Sequence, residues 1–173
     1  FHFTGDIYAI PEGTIIFPRE PLLKVIAPVM EAQLIETALL NILNHQSLIA
    51  TKASRVVYAA KGDGIMEFGL RRAQGPDAGI YGARAAMIGG CIGTSNVLTG
   101  QMFDVPVKGT HAHSWIMSFP DEYTAFKAYA NLYPDACILL VDTYDVLKSG
   151  VPNAIRVFKE MQAEGIELKG YGI

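Results

Sequence analysis

Apolar positions change their period twice along the chain. From Phe1 to Pro28, short apolar runs at Ile7 to Ile10, Thr14 to Phe17 and Leu22 to Ile26 are broken by Pro11-Glu12-Gly13, by Pro18-Arg19-Glu20-Pro21 and by Ala27-Pro28. That is the punctuation of a β-meander. From Val29 to about Lys61 the spacing becomes helical. Leu34, Ala38, Leu39, Ile42 and Leu43 recur on one stripe, then Leu48, Ile49, Ala53, Val56, Val57 and Ala60 on another. Two consecutive helices joined near Asn44-His45-Gln46-Ser47 are expected. Beyond Gly62 strands and helices alternate. Strands are predicted over 64–70, near Val97, over 105–112, over 136–141 and over 167–173, with helices over 76–90, 120–131 and 151–164.

Repeated strand and helix units predict an α/β fold with a parallel sheet, open or closed into a barrel. The division read from the pattern is a β-rich segment of an incomplete N-terminal domain over residues 1–28, then an incomplete α/β barrel with two leading helices over 29–173. A full barrel of eight units takes about 250 residues. The chain supplies about four, opens without a methionine on Phe1-His2-Phe3-Thr4-Gly5 and stops in what should be a strand. Further chain at both ends is therefore expected.

Polar groups collect where the predicted strands end: Arg71, Arg72, His111, His113, Asp142 and Asp145. Sites of parallel α/β proteins lie at this face. The densest stretch is Val105 to Trp115, which runs from β-branched residues into Gly109-Thr110, two of the four histidines, Ser114 and the single tryptophan.

Composition narrows the classes. Half of the 173 residues are hydrophobic, and the formal net charge is -3 with no basic run. The chain can bury a core, and nothing marks a nucleic-acid or anionic-membrane surface. No apolar stretch reaches the roughly 20 residues of a membrane span and no signal peptide opens the chain, so a cytoplasmic location is the default. Cys91 and Cys137 lack ligand or CxxC spacing and read as buried free thiols.

Three motifs occur in order: Glu67-Phe68-Gly69-Leu70-Arg71-Arg72-Ala73-Gln74-Gly75-Pro76-Asp77, Gly109-Thr110-His111-Ala112-His113-Ser114 and Val141-Asp142-Thr143-Tyr144-Asp145. With them the chain resembles the nicotinate phosphoribosyltransferases. The resemblance extends to Phe3-Thr4-Gly5-Asp6, Pro11-Glu12-Gly13-Thr14 and the run Glu36 to Asn44. It implies a barrel of the type II phosphoribosyltransferase kind. It also implies the reaction of nicotinate with 5-phosphoribosyl 1-pyrophosphate to nicotinate mononucleotide and pyrophosphate, coupled to hydrolysis of ATP with Mg²⁺, in NAD synthesis. No tightly bound cofactor is implied, and a homodimer is.

The same resemblance assigns roles. Arg55, Arg71 and Arg72 are candidates for phosphate groups, and Arg71 equally for the nicotinate carboxylate, since a guanidinium fork fits either anion. Thr110 matches a position that meets nicotinate, Asp142 an acid near the ribose, and His113 the histidine phosphorylated from ATP. Ser114 is placed to donate to a phosphate. From a strand, Arg71 and Arg72 would point to opposite faces, leaving one structural. Asp145 equally suits a helix cap. His111 reads as a packed, hydrogen-bonded histidine, Trp115 as core, and Pro76-Asp77 as a helix start.

Three other readings compete. His111 and His113 at a strand end resemble metal ligands of a barrel hydrolase, but the remaining histidines, His2 and His45, lie in other elements. A second reading is a non-catalytic binding or assembly piece. Nicotinamide- or quinolinate-specific phosphoribosyltransferases form the third, against which the run Leu70 to Gln74 favours nicotinate.

Overall fold

The computed structural model describes residues 1–167, 170, 172 and 173. It divides into two compact units, residues 1–108 and 109–173, which are taken in turn.

The first unit opens with strands β1 (Asp6–Ala9) and β2 (Leu23–Ile26), paired antiparallel with Asp6 opposite Ile26. The apolar run at 14–17 forms no strand, so the expected meander reduces to two strands. Helix α1 (Val29–Ala59) follows as one 31-residue helix rather than two. It contains no Gly or Pro. Its polar quartet stays helical because tertiary bonds occupy it: His45 Nε2 lies 3.2 Å from the Ala78 carbonyl, and Gln46 Oε1 accepts from Arg84 at 2.9 Å. Arg84 also clasps Glu12 through both guanidinium nitrogens at 2.7 and 2.6 Å. This draws the Glu12 carboxyl below its ordinary range, chiefly through that hydrogen bond. Pro11-Glu12-Gly13 is thereby anchored to helix α2 (Pro76–Ile88).

Helix α2 starts where Pro76-Asp77 signalled, after Gly75 at φ 99°. It buries Gly79, Gly82, Ala83, Ala85 and Ala86, side chains small enough to let it approach its neighbours closely. The core shared with α1 is Ala53, Ala86 and Cys91, flanked by Ile49, Val57, Ile65 and Met87.

Strand β3 (Met66–Glu67) pairs parallel with β4 (Gly93–Thr94), and Thr94 makes a further parallel bridge to Val107. This is the βαβ order expected of an α/β sheet, but the strands are much shorter than the sequence pattern implied. Residues 70–72 coil into a 3₁₀ turn instead of extending β3. Helix α3 (Val97–Phe103) replaces the strand predicted near Val97, because Asn96 accepts the Thr99 amide and caps a helix there. Over 105–112 only Val107 bridges, with the Pro106 carbonyl and the Lys108 amide both bonded to Thr94. Pro106 itself has no amide to contribute to a ladder.

The second unit holds α4 (His113–Met117), α5 (Glu122–Leu132, capped by Asp121) and α6 (Val151–Ala163). A π-helical turn over Val146–Gly150 leads into α6. Asp145 caps it by accepting the Leu147 and Lys148 amides, so the capping reading of this residue holds. The core is Ile116, Phe126, Leu139, Val157 and Met161 with Ala125, Ala130, Cys137 and Ala154. Trp115 packs against this cluster and donates Nε1–H to the Ala125 carbonyl at 3.2 Å. Within the predicted strand 136–141, Ile138 makes an isolated parallel bridge to Gly172, and no longer ladder forms among the described residues. Residues 168, 169 and 171 of the last predicted strand lie outside the described residues.

Candidate functional site

Within the second unit, His113 and Asp142 are joined. The loop 109–112 delivers His113 to the first position of α4, and segment 136–141, which bridges at Ile138, leads into Asp142. His113 Nε2 lies 2.9 Å from Asp142 Oδ1, with the two side chains 51% and 57% exposed. A carboxylate only accepts, so Nε2 carries the proton, and a neutral ring keeps its lone pair on Nδ1. In its neutral form the ring is thus oriented by Asp142 and open to solvent, with its lone pair on Nδ1. As an exposed ion pair the two would add little stability, on the order of 0–1 kcal/mol.

Around it, Thr110 is half-buried and donates its hydroxyl to the His111 carbonyl at 3.1 Å. Ser114 is exposed, and its carbonyl accepts from Ser118 Oγ at 2.7 Å. His111 is buried with Nε2 accepting the Leu140 amide, as expected of a packed, hydrogen-bonded histidine. That bond removes it from the metal pair considered above. Among the described residues no group of three His, Cys, Asp or Glu could hold a metal ion.

The arginines belong to the first unit. Arg71 and Arg72 both lie on the 3₁₀ turn, where successive residues project roughly 120° apart instead of to opposite faces. Both are exposed. The turn is tethered by Glu67. Its carboxylate accepts the Gly69 amide at 2.5 Å through one oxygen and the Thr94 hydroxyl at 2.7 Å through the other. Thr94 is fully buried and also accepts the Asn96 amide at 3.0 Å. Arg55 is exposed on a different element, α1, beside Lys52 and a shallow depression lined by Leu48, Thr51 and Val56. A second cavity of about 440 Å³ lies between α1 and α2, lined by Asn41, His45, Gln74, Asp77 and Tyr81 among others.

Residues 64–153, more than half of the chain, match the model of the nicotinate phosphoribosyltransferase family, and residues 1–44 match the model of its N-terminal domain. The chain belongs to the nicotinate phosphoribosyltransferase family. It is 57% identical over 153 residues to the nicotinate phosphoribosyltransferase of Bacillus subtilis, covering 88% of this chain and 31% of that protein. A Mycobacterium tuberculosis nicotinate phosphoribosyltransferase is 50% identical over 159 residues, covering 92% and 34%. The chain thus spans about a third of these relatives' length. The crystal structure of human nicotinic acid phosphoribosyltransferase superposes with a TM-score of 0.83 at 35% identity, over 99% of this chain and 43% of that one. The nicotinate-nucleotide pyrophosphorylase of Pyrococcus furiosus gives 0.81 at 33% identity, over 98% and 42%. The α/β architecture is that of solved members of the family.

Two features of this family member were not singled out from sequence. One is Glu67 in the first motif, whose position two residues before a glycine at a turn suits a clamp on that glycine's amide. Glu122 begins α5 buried at 2% exposure and accepts from Ser149 Oγ, which ties the π-helical turn to α5. No spacing rule announces a contact across 27 residues.

Proposed function

We propose that the chain is part of a nicotinate phosphoribosyltransferase, joining nicotinate to 5-phosphoribosyl 1-pyrophosphate with ATP hydrolysis to form nicotinate mononucleotide and pyrophosphate for NAD synthesis. The 57% identity to the Bacillus subtilis enzyme carries this reading. Displacing pyrophosphate from the ribose passes through a cationic sugar, so the reaction needs cations on the leaving phosphates and carboxylates near the ribose. In this reading Arg71 and Arg72 bind pyrophosphate oxygens or the nicotinate carboxylate, and Arg55 binds a phosphate. Thr110 meets nicotinate, and Ser114 donates to a phosphate oxygen.

His113 takes the γ-phosphoryl group of ATP. Its Nδ1 lone pair attacks phosphorus, the bond to the β-phosphate oxygen breaks and ADP leaves. Water later cleaves the P–N bond, releasing phosphate and restoring the imidazole. Asp142 holds the ring at Nε2 and neutralises its charge while it is phosphorylated. Magnesium would enter with the nucleotide's phosphates and would supply charge screening there; Asp142, the acid placed near the ribose and more than half exposed, would be an oxygen donor within this chain able to meet it.

The parallel elements belong to a type II phosphoribosyltransferase barrel, with residues 1–28 part of a preceding domain. The enzyme acts as a cytoplasmic homodimer. Among the described residues no helix is long and apolar enough to cross a membrane. The 173-residue chain alone is expected to be inactive. Turnover by a polypeptide of the relatives' full length carrying this segment, offered nicotinate, nicotinamide and quinolinate separately with phosphoribosyl pyrophosphate and ATP, tests the proposal. Nicotinate mononucleotide is the expected product, and use of either other acceptor in preference refutes it.

A further inference from the structure

None of the chemistry above uses His111, yet its imidazole is more completely held than any other side chain in the loop 109–114. It is 9% exposed, stands edge-on to Tyr129 at 4.7 Å and lies against Phe126 at 6.2 Å. Nε2 accepts the Leu140 amide at 3.2 Å, which puts the lone pair there and the proton on Nδ1, 3.4 Å from the Ala112 carbonyl. The partner's position matters as much as the bond. His111 reaches Leu140 across 29 residues, and His113 reaches Asp142 across the same 29. The two contacts join the same two segments in one parallel register, two residues apart. In an ordinary parallel ladder a backbone carbonyl would accept the Leu140 amide. Here a side chain does, where the sheet pairing has ended.

We propose that His111 is a positioning residue: by accepting the Leu140 amide, its neutral imidazole sets segment 140–142 against 111–113 and so holds Asp142 at His113. The inference rests on taking His113 and Asp142 as the reacting pair. It makes that contact sensitive to acid, because a protonated His111 has no acceptor at Nε2 and presents N–H to N–H. Burial keeps the ring neutral, lowering its pKa from the ordinary 6.5. The Ala112 carbonyl opposes this, and the neighbouring His113 adds a smaller lowering. The titratable groups facing it are Tyr129 from α5 and His113 from its own loop; Phe126 and Leu140 are apolar. Since the folded ring resists protonation, the contact is complete above the ordinary value and is lost as pH falls below it.

The test uses a polypeptide of the relatives' full length with ¹⁵N-labelled histidine and leucine, in wild type, His111→Leu and His111→Gln forms. Glutamine places an oxygen where Nε2 stood and cannot be protonated. In His111→Leu, kcat is expected to fall between about tenfold and a hundredfold, the scale of a misplaced reacting group, with KM nearly unchanged. The His113 ring should lose its Nε2–H tautomer at the same time. His111→Gln should restore most of both and stay constant down to lower pH than wild type. Equal losses in the two variants, or an unchanged His113 ring and kcat in His111→Leu, would overturn the proposal. Should His111→Leu not fold, wild type still decides. The Leu140 amide and the His113 ring must respond to acid with one common midpoint, and separate midpoints refute the coupling. Ring signals that behave as stated in a protein without nicotinate turnover would leave the positioning role standing and remove the proposed reaction.

Discussion

Replacing Glu67 by alanine tests how the arginine turn is held. Two donors lose a carboxylate at once: the Gly69 amide at 2.5 Å and the Thr94 hydroxyl at 2.7 Å. The two losses are unequal. Gly69 is exposed, so water replaces part of its bond, whereas Thr94 is fully buried and its hydroxyl proton is left without a partner. A hydrogen bond to a charged group is worth about 1.5–3 kcal/mol, and a typical neutral one about 0.5–1.5. Assigning the lower figure to the solvated contact and the higher to the buried one gives a loss of about 2–4.5 kcal/mol. Glu67→Gln keeps one acceptor and should lose about half of that. Urea unfolding of a full-length polypeptide carrying the segment measures both variants. The same geometry makes Gly69→Ala informative, because a Cβ there would stand 2.8 Å from the Glu67 carboxylate oxygen and displace it. Gly69→Ala and Glu67→Ala should therefore be non-additive in the double variant. A Glu67→Ala cost below about 0.5 kcal/mol, within the range of ordinary surface substitutions, would refute the clamp.

Further outcomes follow from the same structure. Arg71→Ala or Arg72→Ala should weaken binding of nicotinate or phosphoribosyl pyrophosphate by about ten- to a hundredfold, the loss of one charge-assisted bond, without changing the unfolding midpoint; unchanged kinetic constants in both variants would remove the turn from the site. Phe126, fully buried in the second unit's core, should cost about 3–5 kcal/mol when cut to alanine, read from the loss of cooperative unfolding. The Cys137 thiol, pushed up to about 11 by burial, should resist iodoacetamide at pH 8 in the folded protein and react on unfolding.

Helices α2, α5 and α6 were legible because their start signals are local: Pro76 after Gly75, Asp121 before Glu122, Pro152 in a first turn. The break expected in α1 was not real, since Asn44 to Ser47 contains polar residues but no residue that forbids a helix, and bonds to α2 hold it. Strand lengths were overread for the opposite reason. Apolar runs at 64–70 and 105–112 mark extended or buried chain, while a ladder also requires a partner at each residue, and Pro106 and the turn at Leu70 interrupt it. Of the site, the motifs identified His113 and Asp142 as candidates, but periodicity could not bring together residues 29 apart. The same distance problem concealed the Glu67 to Thr94 contact across 27 residues.

His113 offers the most direct test of the account, since the proposed reaction, the orientation by Asp142 and the positioning by His111 all converge on its free nitrogen. The measurement is incubation of the full-length protein with γ-labelled ATP and Mg²⁺, followed by acid treatment of the isolated polypeptide. Wild type is expected to carry an acid-labile label that disappears when nicotinate and phosphoribosyl pyrophosphate are added, and His113→Ala to carry none. Label that persists in His113→Ala, or that never forms in wild type, would contradict the account.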